Sequence, residues 1–268
     1  PFQASLDGEP DSGFASDKVR ALLAYLAMSP DRPHRREVLA GLLWPEFPEH
    51  SARTNLRNAL ASLRRAIDDG AASPRFLRSS HQTIEFNGQS DYWLDADTFE
   101  SLVTTVHPTN ERLEQAVSLV RGSFLEGLSL ADAAPFEEWQ LLRREHFGRQ
   151  IVEAYQSLAA LYEGCGAFEQ ALAHARRRVE LEPWQEVGQR QLMHLLASTG
   201  RRAEALIQYE KLCRSLRDEL GADPSEETRA LCEAIRSGKL MPTAQQSGPS
   251  VPVWNLPVSS TPFFGRTG

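Results

Sequence analysis

The sequence predicts a mainly α protein in two parts: a three-helix unit closed by a small β-hairpin, then tetratricopeptide-like α-helical repeats. Three observations predict it. From Ser51 to Asp68, apolar residues recur at helical spacing on one side, with Arg, Asn and Thr on the other. From Arg75 to Phe86 the pattern is that of two short strands about a polar turn. Further on, Gly166-x-x-Glu169-x-Ala171-Leu172 returns as Gly200-x-x-Ala203-x-Ala205-Leu206, an offset of 34 positions, which is the tetratricopeptide period.

The elements follow in order. Lys18 to Met28 is apolar at nearly every turn, with Ser16 and Asp17 as caps and Pro30 beyond it, and reads as a core helix. A short helix from about Arg35 to Trp44 turns Val38, Leu39, Leu42 and Leu43 inward and stops at Pro45. Glu46 to His50 form a loop, and Ser51 is the candidate N-cap of the two-faced helix. Its buried stripe is Leu56, Leu60, Leu63 and Ile67. After the Gly70 to Pro74 break, Arg75 to Arg78 and Thr83 to Phe86 pair through Ser79 to Gln82, with Arg78 and His81 near the tip. Three helices and a hairpin make a winged helix-turn-helix unit.

The outer side of the third helix carries Thr54, Arg57, Asn58, Ala61 and Arg65. Arg matches the acceptor pair of guanine in the major groove and Asn matches adenine, while Thr or a small Ala permits close approach. The same face also reads as a solvated basic helix surface. A wing after such a helix would bring Arg78 and His81 to the sugar-phosphate backbone; its alternative is an ordinary edge hairpin. Charge favours nucleic acid locally. The 268-residue chain has a net charge of −7, yet Lys18 to His81 hold 11 Lys+Arg against 6 Asp+Glu, a local +5. His34 and His50 share this region and read as surface residues.

From Asp95 onward the pattern is of amphipathic helices. Two repeat units run from Tyr155 to Pro183 and from Val187 to about Pro224, each turning at a Gly, with flanking helices expected in Glu111 to Leu125, Phe136 to Gly164 and Glu226 to Gly238. The second unit is longer before its Pro, by an extended helix or an enlarged loop.

Leu42-Leu-Trp-Pro45 followed by Ser51-Ala-Arg-Thr-Asn-Leu-Arg-Asn-Ala-Leu-Ala-Ser-Leu-Arg-Arg-Ala-Ile67 resembles the winged-helix domain of the Streptomyces antibiotic regulatory protein (SARP) family of transcriptional activators. The second half resembles the bacterial transcriptional activation domain of the same family. The matching motifs are Asp95-x-x-x-Phe99, Arg121-Gly122-x-Phe124-Leu125-x-Gly127, Trp139 with Arg143 and Arg144, Glu182-Pro183-x-x-Glu186, Gly200-Arg201-x-x-Glu204-Ala205, Tyr209 and Leu220-Gly221-x-x-Pro224-Ser225. The resemblance implies base reading by Thr54, Arg57, Asn58 and Arg65 and phosphate contacts by Arg53 and Arg64. It also implies promoter DNA as a partner, with RNA polymerase contact or self-association on tandem or inverted half-sites assigned to the helical part.

The expected division is 1–94 winged helix, 95–240 activation domain and 241–268 linker. The stretch Pro1 to Ala15 departs from the family in being short and polar for a full leading sheet, and Pro262 to Arg266 resembles the lead-in to a signalling ATPase domain, so a piece of a larger regulator is expected. No membrane span or signal peptide is legible, which predicts a cytoplasmic protein. Cys165, Cys213 and Cys232 lack metal-ligand spacing and read as buried thiols. No catalytic, metal or cofactor constellation is legible. The alternative function is a tetratricopeptide-type interaction scaffold whose winged helix binds protein instead of DNA.

Overall fold

The computed structural model describes residues 2–6, 9–10, 13–105 and 108–240. The expected linker, 241–268, lies outside the described residues. The fold is the winged helix followed by a helical array. A two-stranded ribbon, β1 (Ser5–Leu6) and β2 (Glu9–Pro10), precedes α1 (Asp17–Ala27), β3 (His34–Arg35), α2 (Arg36–Leu43) and α3 (Glu49–Ala66). The wing is β4 (Leu77–Ser79) and β5 (Thr83–Phe86).

The hairpin is one strand wider than the sequence pattern predicts. β3 pairs antiparallel with β5, His34 opposite Ile84, giving the order β3-β5-β4. Two residues are too few to show alternation, so this strand is set by tertiary pairing. Ser51 is not the cap of α3. The helix begins at Glu49 behind Pro48, whose fixed φ suits that junction. Val38 does not face inward: it is 54% exposed, because an eight-residue helix buries one stripe, here Leu39, Ala40 and Leu43.

The first core gathers Leu22, Leu26, Leu39, Leu43, Leu56, Leu63 and Ile84, and Leu128, Leu130, Ala133 and Phe136 from the second half complete it. Lys18 fastens the same junction, donating to the Leu43 carbonyl at 2.8 Å and to Asp132 at 2.6 Å.

The helical half comprises α4 (Asp95–Val103), α5 (Asn110–Ser118), α6 (Ala134–Gly164), α7 (Phe168–Leu181), α8 (Glu186–Ser198), α9 (Arg202–Leu220) and α10 (Glu226–Arg236). The repeat is visible in the backbone. Gly166 N–H donates to Glu163 and Ala167 N–H to Tyr162; 34 positions on, Gly200 donates to Ala197 and Arg201 to Leu196. Both glycines hold positive φ, +74° and +80°, which a side chain would strain. Ala171 and Ala205 are both fully buried where the paired helices close on each other. The extra length of the second unit lies in its helix, 19 residues in α9 against 14 in α7. Of the three cysteines expected to be buried, Cys232 is buried, Cys213 is only half-buried, and Cys165 is exposed because it caps the end of α6 next to the turn.

The family motifs meet in space. Arg144 donates to the Phe124 carbonyl at 2.9 Å, Gln140 donates to Leu125 and Leu128, and the Phe124 ring lies 5.8 Å from Trp139. Glu186 accepts from both the N–H and the hydroxyl of Ser225, joining the start of α8 to the cap of α10.

Candidate nucleic-acid interface

The third helix holds its faces apart by burial. Ala52, Leu56, Ala59, Leu60 and Leu63 are buried against α1 and α2, and Arg53, Arg57, Asn58, Ala61 and Arg65 are exposed. Glu49 in its first turn and Arg64 and Arg65 in its last complement the helix dipole.

The predicted residues divide by what already holds them. Arg57 and Asn58 make no side-chain hydrogen bond or ion pair among the described residues, so their donors face solvent on the outer face. Ala61, one turn further, leaves the surface low beside them. Arg65 makes only a 3.4 Å contact to the Ala61 carbonyl. Thr54 is half-buried and gives its hydroxyl proton to the His50 carbonyl at 3.0 Å. Arg53 lies between two carboxylates, 2.9 Å from Glu37 and 2.7 Å from Glu49. Arg64 donates to the Ser79 hydroxyl at 2.7 Å and lies 3.4 Å from Asp69, a carboxylate only 1% exposed that also accepts from Leu77 N–H. That arrangement ties the end of α3 to the first wing strand.

The wing turn is built by Ser80, whose hydroxyl accepts from Gln82 and Thr83 N–H and leaves His81 exposed at the tip. Arg78 sits lower, opposite Glu85 in the strand, 3.3 Å from Asp31 and 3.6 Å from Glu85. It therefore lies on the body of the wing, held by two acids.

The two other histidines differ. His50 is exposed as expected, whereas His34 is buried, its ring 5.1 Å from Tyr25. Burial, reinforced by Arg32, lowers its pKa.

Sequence reasoning missed Arg36. It heads α2 as part of an Arg35-Arg36 pair, and its Nε and Nη2 both donate to the Ser80 carbonyl, at 3.2 and 3.0 Å. Its backbone N–H also takes the Gln82 carbonyl at 2.9 Å. Burial, and the nearby charge of Arg64, lower its pKa. The doubled arginine was the only signal in the sequence; the contact itself depends on the fold.

Among the described residues no group of three or more His, Cys, Asp or Glu is placed to hold a metal, and no helix is long and apolar enough to cross a membrane. A groove of about 510 Å³ lies between α7, α8 and α9, lined in part by Val179, Pro183, Leu192, Leu196, Ile207 and Lys211.

The sequence profile described as Bacterial transcriptional activator domain matches residues 94–236. The transcriptional regulatory protein EmbR of Mycobacterium tuberculosis (H37Rv) is 28% identical over 244 residues, 88% of this chain and 61% of that protein. The regulatory protein AfsR of Streptomyces coelicolor is 27% identical over 281 residues, 99% of this chain and 27% of that protein. MoaR1 of Mycobacterium tuberculosis, another transcriptional regulatory protein, is 25% identical, with 81% of this chain and 71% of its own covered. The chain thus spans about three fifths of EmbR and about a quarter of AfsR. In structure it resembles Mycobacterium tuberculosis EmbR, solved in complex with a low affinity phosphopeptide: TM-score 0.68, 24% identity, 88% of this chain and 63% of that one.

Proposed function

The chain belongs to the bacterial transcriptional activator domain family, a SARP-type transcriptional regulator by that membership, and we propose that it acts by reading promoter DNA with α3. One observation carries the reading: Arg57 and Asn58 stand without partners among the described residues, on the exposed face of a helix whose other face is locked into the core. Their forked donors and amide suit guanine and adenine edges. Thr54, Ala61 and Arg65 flank them on this face, and His81 reaches toward the backbone from the wing.

Arg53, Arg64 and Arg78 remain in this reading as cations near the duplex, but each must leave or share a carboxylate to meet a phosphate. The functional division we propose is 1–94 for DNA, 95–240 for contact with RNA polymerase or a second copy on a neighbouring half-site, and 241–268 as linker to a further domain. The setting is the cytoplasm. The groove between α7 and α9, with Ile207 half exposed in its wall, supplies a surface for such protein contact.

The test is base preference. In a competition assay against duplexes selected by the unaltered chain, Arg57→Ala and Asn58→Ala are each expected to lose about 1 to 3 kcal/mol of specific binding and to relax preference at one position. Retention of the full preference by both variants would overturn the placement of the reading face.

A further inference from the structure

Two guanidinium groups meet at the seam between α2, α3 and the wing. Arg36 bonds to the carbonyl of Ser80, and Arg64 to the hydroxyl of the adjacent Ser79. Among the described residues only one carboxylate serves them, Asp69, and it faces Arg64. Arg36 has no acidic partner among the described residues. A guanidinium carries five N–H donors. Two of those on Arg36 go to the Ser80 carbonyl, and its remaining three N–H groups have no partner among the described residues. The seam is thus a pair of like charges with one counter-charge, a set of unused donors and two exposed serines, Ser79 and Ser80.

Such a site favours an anion. Arg presents its donors as a planar fork that matches phosphate oxygens, and two forks from different elements can share one phosphate. We infer that Arg36 and Arg64 form a seat for a single backbone phosphate, on the strand of the duplex that passes between the groove occupied by α3 and the wing. This rests on the reading of α3 as the DNA-facing helix and deepens it. Seating a phosphate here fixes how far the duplex sits from both the helix and the wing turn, because residue 36 also binds the turn through its N–H to Gln82. Arg36 is then a contact that sets register and carries no base preference.

The experiment uses the full chain and a DNA duplex that it selects from a random pool. Single phosphates of that duplex are replaced by neutral methylphosphonates, and binding is measured across a salt series for the unaltered chain, Arg36→Ala and Arg36→Lys. The expected result is one position whose neutralisation weakens the unaltered chain and weakens Arg36→Ala clearly less, since Arg64 alone then holds that phosphate. The salt slope of Arg36→Ala should fall by up to about 0.9, so that raising salt from about 50 to about 200 mM costs it up to roughly three-fold less affinity than it costs the unaltered chain.

Arg36→Lys keeps the charge and loses the fork. It should keep the slope yet bind more weakly, a split that general destabilisation would not produce, and it also serves if Arg36→Ala fails to fold. An unchanged slope and an unchanged interference pattern in Arg36→Ala, or undiminished binding by Arg36→Lys, overturn the seat. If Arg57→Ala and Asn58→Ala still lose base preference in that case, the reading of α3 stands without it. Failure of the unaltered chain to select any duplex overturns both.

Discussion

Trp139 is where the two halves can be separated by one substitution. It lies on α6, yet its ring sits 5.0 Å from Tyr25 of α1, 5.3 Å from Phe136 and 5.8 Å from Phe124. It packs against both the core of the winged helix and the core formed by Phe99, Leu102 and Phe147. Aromatic pairs add about 0.5 to 1.5 kcal/mol each beyond area burial, and truncating a core Trp to Ala costs about 3 to 5 kcal/mol. Because Trp139 is only partly buried, the low end applies, about 3 kcal/mol. With a urea dependence of about 3 kcal/mol per molar, Trp139→Ala should lower the unfolding midpoint by about 1 M. Hydrogen exchange provides the second readout: amides of α1 and of α4 should both lose protection. The control is Trp93→Ala, which removes a ring 63% exposed and should stay within about 0.5 kcal/mol. An unchanged midpoint, or protection lost on one side only, would refute the claim that the ring couples the halves.

Two further outcomes follow from buried polar groups. Gln140 is fully buried and donates to the carbonyls of Leu125 and Leu128; Arg144 also serves the first, so Gln140→Leu orphans only the second and should cost about 1 to 3 kcal/mol in thermal or urea unfolding. An unchanged midpoint would show that Leu128 finds another donor. The lowered pKa of His34 means that the folded chain binds its proton less readily than the unfolded chain does. Its contribution to stability is therefore full above an unfolded value of about 6.5 and is lost as pH falls through the folded value. His34→Phe retains an aromatic partner for Tyr25 and should flatten the decline in urea midpoint below about pH 6.5; an equal decline in both proteins would remove His34 as its source.

Periodicity decided what could be read in advance. The two faces of α3 were legible because an 18-residue helix offers enough turns to separate buried Leu56, Leu60 and Leu63 from exposed Arg57 and Asn58. The 34-position repeat was legible because a turn that needs positive φ marks itself with Gly. β3 was not, since two residues carry no period, and neither was Arg36, whose partner lies 44 positions away.

The same physics explains why the predicted cations differ in their freedom. Within helical reach of Arg57, at three or four positions either side, stand Arg53, Thr54, Leu60 and Ala61, with no acid among them. Its availability was written locally. Arg53 has Glu49 four positions before it, so that half of its pairing was legible too. The other acids, Glu37 at Arg53, Asp69 at Arg64, and Asp31 and Glu85 at Arg78, arrive through the packing of α2, the end of α3 and the wing. A basic residue in a sequence is therefore free to meet DNA without giving up a partner only where the fold has brought it no carboxylate. By that criterion Arg57 qualifies from its helix alone, and Arg36 qualifies only once the wing is in place.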